Sequence, residues 1–198
     1  MAAFGDHPSI PSNIENLLTD ETVSTVFLKA ECSTRVKCGH ISSLSLKQLE
    51  DEIWTKPKLE QLAEELSLVI EQNEARSDCF IEIERTGCKI MQIGDLRITC
   101  AWPPFSDAWE ITVVRPVAHL EISDYNLNDE LMGRLKDHHR GVFVVGRPGS
   151  GKTTFAQAIA AYLDSEVGAM VKTMEAPRDL QVPQRVTQYA PLEGDLEK

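Results

Sequence analysis

Val142-Phe143-Val144-Val145-Gly146-Arg147-Pro148-Gly149-Ser150-Gly151-Lys152-Thr153-Thr154-Phe155 is the stretch whose reading decides the fold. Its first four residues are an unbroken apolar run, as expected of a central parallel strand covered on both faces. Residues 146–153 match the phosphate-loop pattern G-x-x-x-x-G-K-[ST] in full. Beyond the loop, Phe155, Ile159 and Leu163 share one helical face, with Ala158 and Tyr162 beside them. So short a pattern arises by chance, but the order strand, loop, helix is the context in which it binds nucleotide.

Each loop position has a physical task. Gly146, Gly149 and Gly151 let the backbone curl tightly enough for its N–H groups and the helix start to surround phosphate oxygens. Lys152 brings a cation to the terminal phosphates of ATP, and Thr153 offers its hydroxyl to Mg²⁺. Pro148, Ser150 and Thr154 complete the cofactor-binding set, the two hydroxyl residues as neighbours rather than ligands. Arg147 faces either solvent or a neighbouring subunit. Residues 169–174 are apolar enough to form the next strand, which ends at Glu175. A carboxylate beyond the carboxyl end of such a strand stands where α/β nucleotide sites orient water or metal; position alone leaves a surface acid equally open.

Upstream, residues 1–24 are rich in Pro, Ser, Asn and Asp and read as a lead-in without a core face, with at most a helical turn over 13–18. Residues 26–28, and more weakly 41–46, have strand character. Leu59, Leu62, Leu66 and Val69 recur at helical spacing among glutamates and predict an amphipathic helix over 58–73. Strands follow at 80–84, 88–93, 96–102 and 111–115, with turns at Thr86-Gly87 and Gly94-Asp95. A small α+β domain over 25–116 results. Residues 117–140 are a connector in which Asn126 and Asp129 suggest a helix start, Leu127, Leu131 and Leu135 line one side, and His138-His139 cap the end. Residues 141–198 form the phosphate-loop domain. The fold class is α/β, with a small α+β N-terminal domain before an incomplete parallel-sheet domain.

Composition narrows the function. The 198 residues carry a net charge of −11. Residues 1–140 hold 14 Lys/Arg against 24 Asp/Glu, while residues 141–198 hold 6 against 7. So acidic a chain is a poor prior for direct nucleic-acid binding, which depends on basic surface. No apolar run is long enough to span a bilayer and no signal peptide stands at the start, so a cytoplasmic location without membrane insertion is expected. Five cysteines without tight pairs read as reduced thiols. Cys32, Cys38 and His40 lack the second close pair that a zinc site requires.

From Phe80 onward the chain resembles the archaeal PIN- and KH-domain ATPases, within the superfamily of type II and type IV secretion and pilus-retraction motors. The resemblance is carried by Phe80-Ile-Glu-Ile-Glu84, Trp102-Pro-Pro-Phe-Ser-Asp107, Glu110-Ile-Thr-Val-Val-Arg-Pro116, Asp124-Tyr-Asn-Leu127, the phosphate loop, and the stretch from Val171-Lys-Thr-Met-Glu175 through Gln188-Tyr-Ala-Pro-Leu-Glu193. It implies a RecA-like motor domain, assembly into hexameric rings, and ATP hydrolysis that moves the two domains against each other. By the same resemblance Lys152, Glu175, Arg97 and Arg115 are the catalytic set, the arginines reaching toward phosphate, with Arg178 a weaker member. An ordinary strand-surface arginine is the competing reading for Arg97 and Arg115. The family's Walker B strand, PIN domain and KH domain are not found in these residues, so the chain is expected to be a fragment. Three functions follow as expectations: an ATP-driven motor that acts on nucleic acid through PIN- and KH-type domains, a pilus- or secretion-type assembly motor, and, for this chain alone, a non-catalytic nucleotide-binding or oligomerisation module.

Overall fold

The fold is that of a computed structural model, which describes residues 8–39, 43–50, 53–115, 120–137, 141–147, 150–178 and 180–191. Two units emerge, Met1–Val117 and Ala118–Lys198.

In the first unit, strands β1 (Val23–Lys29), β2 (Arg35–Cys38), β3 (Ser45–Gln48), β4 (Cys79–Arg85), β5 (Cys88–Ile93), β6 (Leu96–Ala101) and β7 (Glu110–Val114) form one antiparallel sheet. Their order is β3-β2-β1-β7-β6-β5-β4. Alternation along each strand sends every second residue to one face. Cross-strand register then stacks Val36, Val26, Val113, Ile98 and Met91 into one row, and Leu28, Ile111, Cys100 and Lys89 into the next. The 17-residue helix α2 (Lys56–Gln72) packs Leu59, Leu62, Leu66 and Ile70 into the same core, all buried. Each such side chain contributes about 1.5–3 kcal/mol of transfer free energy. The helix begins earlier than its apolar stripe predicts, because Pro57 is tolerated in a first turn whose N–H groups have no intrahelical partner. The inward residue of its last turn is Ile70, with Val69 only half-buried at the edge.

Residues 1–24 do supply a core face, contrary to expectation. Helix α1 (Ser12–Leu18) buries Ile14 and Leu18, and Ile10 before it joins the same cluster. Ile14 and Leu18 share one face of this short helix, and Ile10 joins them from the residues before it, a pattern hidden in the sequence by the prolines around it. Strand β2 is also additional to the predicted elements. It is short and only half apolar, so its pairing with β1 rather than its composition makes it a strand. The weak strand at 41–46 is shifted to β3, all of whose residues are exposed at the sheet edge, and Ile41 lies outside the described residues.

The second unit opens with a 3₁₀ turn, Ile122–Tyr125, and helix α3 (Asp129–Lys136). The α3 cap is Asn128, whose side chain accepts from the Leu131 N–H at 2.9 Å, and not Asn126. Asn126 instead takes a left-handed conformation at the end of the 3₁₀ turn, which leaves Leu127 outside the helix. His138 and His139 lie outside the described residues. Helix α4 (Lys152–Ser165) and a parallel pair, β8 (Lys172–Met174) with β9 (Thr187–Tyr189), complete the unit. An antiparallel sheet followed by a small parallel sheet is consistent with an incomplete P-loop-like domain.

Residues 142–145 do not form the expected buried strand. They have no assigned secondary structure, and Val142, Phe143 and Val145 are 55%, 96% and 88% exposed. A parallel strand takes its burial from neighbours on both sides, and the described sheet of this unit pairs only β8 with β9. Strand β9 is additional to the predicted elements. Its ladder to β8, Lys172 to Thr187 through Met174 to Tyr189, supplies what its composition does not.

Candidate functional site

Helix α4 starts at Lys152 directly after Gly151, which sits at φ +85°, a backbone conformation that side chains rarely adopt. The loop before it is tight: a Cβ on Gly146 would meet the Ser150 Oγ at 2.5 Å. The Ser150 N–H donates to the Arg147 carbonyl at 3.2 Å, and the Lys152 Nζ reaches the same carbonyl at 3.0 Å. The Lys152 ammonium is therefore folded back over its own loop rather than extended into solvent. Pro148 and Gly149 lie outside the described residues. Thr153 and Thr154 open α4, Thr153 exposed and Thr154 half-buried. A helix start, glycines at close approach, a lysine and a threonine hydroxyl together are a donor set that suits a polyphosphate and a hard divalent cation.

The helix behind the loop is anchored by Ala158, Ala160 and Tyr162, which are buried, while Phe155, Ile159 and Leu163 are half-buried. The Phe155 ring lies 4.7 Å from that of Tyr125, so the 3₁₀ turn packs against the first turns of α4. The 142–145 run and Met170 and Met174 remain exposed, the two methionines at 89% and 82%. The second unit thus covers one side of α4 and leaves much of its apolar surface open.

Glu175 follows β8 directly. One carboxylate oxygen accepts from the Thr173 hydroxyl at 2.5 Å and from the Gln188 amide at 3.1 Å; the other accepts from the Leu180 N–H at 2.7 Å. Gln188 also donates to the Leu180 carbonyl at 2.7 Å, and the Gln181 N–H donates to the Gln157 side chain of α4 at 3.0 Å. Glu175 is accordingly half-buried and held in one orientation, with its loop tied to the phosphate-loop helix. Sequence reading named Glu175 but missed Thr173, Gln188 and Gln157 as its supports. The β8–β9 register, which sets Gln188 opposite Thr173, brings these two to the carboxylate, while Gln157 holds the following loop from α4 through the Gln181 N–H. Arg178 is half-buried in the same loop.

The two arginines of the first unit have different surroundings. Arg97 stands on β6 between Gln92 and Val114, on the face away from α2, half-buried. Arg115 is no strand-surface residue. It is 6% exposed, and its guanidinium donates to the carbonyls of Leu18, Asp20 and Val23, each at 2.7 Å. Burial pulls its pKa below the usual arginine value, an effect opposed by the carboxylates of Asp95, Glu21 and Asp20. The side chain closes the end of α1 onto β1.

No family model matches the chain. It is 46% identical over 179 residues to an uncharacterized KH- and PIN-domain-containing protein of Methanocaldococcus jannaschii, covering 90% of this chain and 27% of that protein. It is 38% identical over 171 residues to the Holliday junction branch migration ATPase PINA of Sulfolobus acidocaldarius, covering 86% and 33%. The chain therefore spans about a third or less of the curated relatives it matches. Among solved structures, the pilus retraction motor PilT with bound ADP matches with a TM-score of 0.56 at 18% identity, over 94% of this chain and 53% of that one. The Legionella pneumophila ATPase DotB matches with a TM-score of 0.55 at 17% identity, over 92% and 52%. The chain is thus linked at the level of a broad superfamily to PIN- and KH-domain proteins and shares its fold with secretion and pilus-retraction ATPases.

Proposed function

We propose that residues 146–154 bind the triphosphate of ATP, and that in the whole protein this site belongs to a ring-forming motor ATPase of the secretion and pilus-retraction type. The observation that carries the reading is the complete phosphate-loop pattern over residues 146–153, with Gly151 at positive φ where α4 begins. The backbone N–H groups of the loop and of the first turn of α4 surround the phosphates, and Lys152 neutralises their charge. Thr153 holds Mg²⁺, which, when bound, draws electron density from the phosphate oxygens. Glu175, fixed by Thr173, Leu180 and Gln188, orients water. The fold shared with an ADP-bound retraction motor supports the nucleotide class and the RecA-like identity of the second unit. Hexameric self-association and the phosphate-directed role of Arg97 belong to the same proposal.

Titration of the chain with a fluorescent ATP analogue and Mg²⁺ is expected to give saturable binding that Lys152→Ala abolishes. Unchanged affinity in Lys152→Ala would sink the assignment. Phosphate release measured alongside separates turnover from binding, since a non-catalytic module binds ATP without releasing phosphate.

A second reading, a motor acting on nucleic acid, is favoured by the 38% identity to a branch migration ATPase. Given a net charge of −11, its DNA contacts would have to come from a local basic patch, a pore built by oligomerisation or chain outside these residues. Branched DNA that fails to stimulate phosphate release by the whole protein would remove this reading and leave the first intact.

A further inference from the structure

We infer that the first unit carries a docking groove for an extended basic peptide, between the outer stripe of α2 and the sheet. The groove encloses about 800 Å³. One wall is formed by Glu60, Glu64, Leu68 and Glu71 of α2, and the floor by Cys100, Trp102 and Trp109. It opens where the core changes character. The apolar row Leu28, Ile111, Cys100 ends on Lys89, and beyond it stand the two tryptophans, stacked with ring centroids 5.0 Å apart and planes 12° from parallel.

Charge decides the occupant. Lys89, the cation lining the groove, is neutralised by Glu84 at 2.7 Å and donates to the Ser67 hydroxyl at 3.3 Å. Glu60 is partly balanced by Lys56 at 3.5 Å. Glu64 and Glu71 are exposed, and no described lysine or arginine pairs with either. The groove therefore joins an aromatic floor to an uncompensated acidic wall. A guanidinium satisfies both at once, since it stacks on a tryptophan face and donates in a fork to a carboxylate.

Shape selects a peptide over a compact cation. From Glu60 to Glu71 the helix rises about 16 Å, which an extended chain covers in about five residues. One turn of α2, about 6 Å, separates Glu60 from Glu64. That interval approaches the spacing of about 6.6 Å between alternate side chains of an extended strand. Arginine or lysine at every second position thus faces the wall, while the residues between face out. Exposed Leu68, in the middle of the wall, offers a contact for the aliphatic stems of such side chains.

The test is fluorescence anisotropy of a short labelled peptide alternating arginine and serine, titrated with the full chain. Binding is expected to weaken at least ~10-fold in the double variant Glu64→Gln/Glu71→Gln, as removal of paired interfacial charge does. The exposed pair Glu15→Gln/Glu74→Gln, which lies outside the groove, should leave it unchanged. Equal weakening in both double variants would mean diffuse attraction to an acidic chain and would overturn the proposal. So would equal binding of a glutamate-serine peptide, or an absence of binding. Displacement by spermidine at concentrations equal to the arginine peptide would assign the groove to small polycations instead.

Discussion

Arg115 ties together backbone carbonyls from three positions more than ninety residues away in the chain, so its removal leaves several buried acceptors unpaired at once. Arg115→Met is expected to lower the stability of the first unit by on the order of 3 kcal/mol, measured by denaturant unfolding followed through tryptophan fluorescence. Unchanged stability with altered ATP turnover would instead make it a phosphate-facing arginine. Cys100 offers a different test, because burial pushes its thiol up from 9.0 to about 12. A proton held more tightly in the folded state stabilises below the unfolded pKa and is lost as pH rises, so the first unit should weaken between about pH 9 and 12, at most by about 1.4 kcal/mol per pH unit. Cys100→Ala should flatten that slope in unfolding measured across the same range. At this scale the sequence is uneven evidence. Lys152 and Thr153 are legible because a phosphate loop is a contiguous pattern. The clamp made by Arg115 is illegible because its acceptors are main-chain atoms, which no residue type marks.

Hairpin β4–β5 turns through Thr86 and Gly87, and Gly87 has two reasons to be glycine. Its φ is +84°, and a Cβ there would come within 2.7 Å of the Trp102 carbonyl oxygen and 2.8 Å of the Phe105 backbone nitrogen. Gly87→Ala is therefore expected to cost about 2–4 kcal/mol, read as a lowered denaturation midpoint; a loss below half of that would show that the 102–106 turn gives way. Where alternation or a helical stripe runs unbroken, as in β5, β6 and α2, elements are readable from composition to within a residue or two. Residues 142–145 fail for the opposite reason. Their apolar run states what a strand there needs, two covering neighbours, and the described second unit does not provide them. Strand β9 and the orientation of Glu175 come from pairing, so no local property of Gln188 announces that it supports a carboxylate thirteen positions earlier.

All three tryptophans, at 54, 102 and 109, lie in the first unit, and all three tyrosines, at 125, 162 and 189, lie in the second. Thermal unfolding followed by tryptophan emission and by tyrosine absorbance therefore reports each unit separately. The tyrosine transition is expected at lower temperature, because the described residues of the second unit include few large buried apolar side chains and leave Phe143, Val145, Met170 and Met174 exposed. Coincident midpoints would mean that the two units unfold as one. The strand order of the first unit has a consequence of another kind. Strands β1 to β3 form one local meander and β4 to β7 another, and the ladder between β1 and β7 joins them, Thr25 opposite Val114 and Lys29 opposite Glu110. That closure spans some eighty residues, with a correspondingly large entropic cost. During synthesis, β1 leaves the ribosome well before residues 110–114 and waits for them before it gains its inner neighbour. Until then its apolar edge is open to other chains, and strand β3, exposed along its length and carrying Lys47, shields the opposite side of that waiting meander.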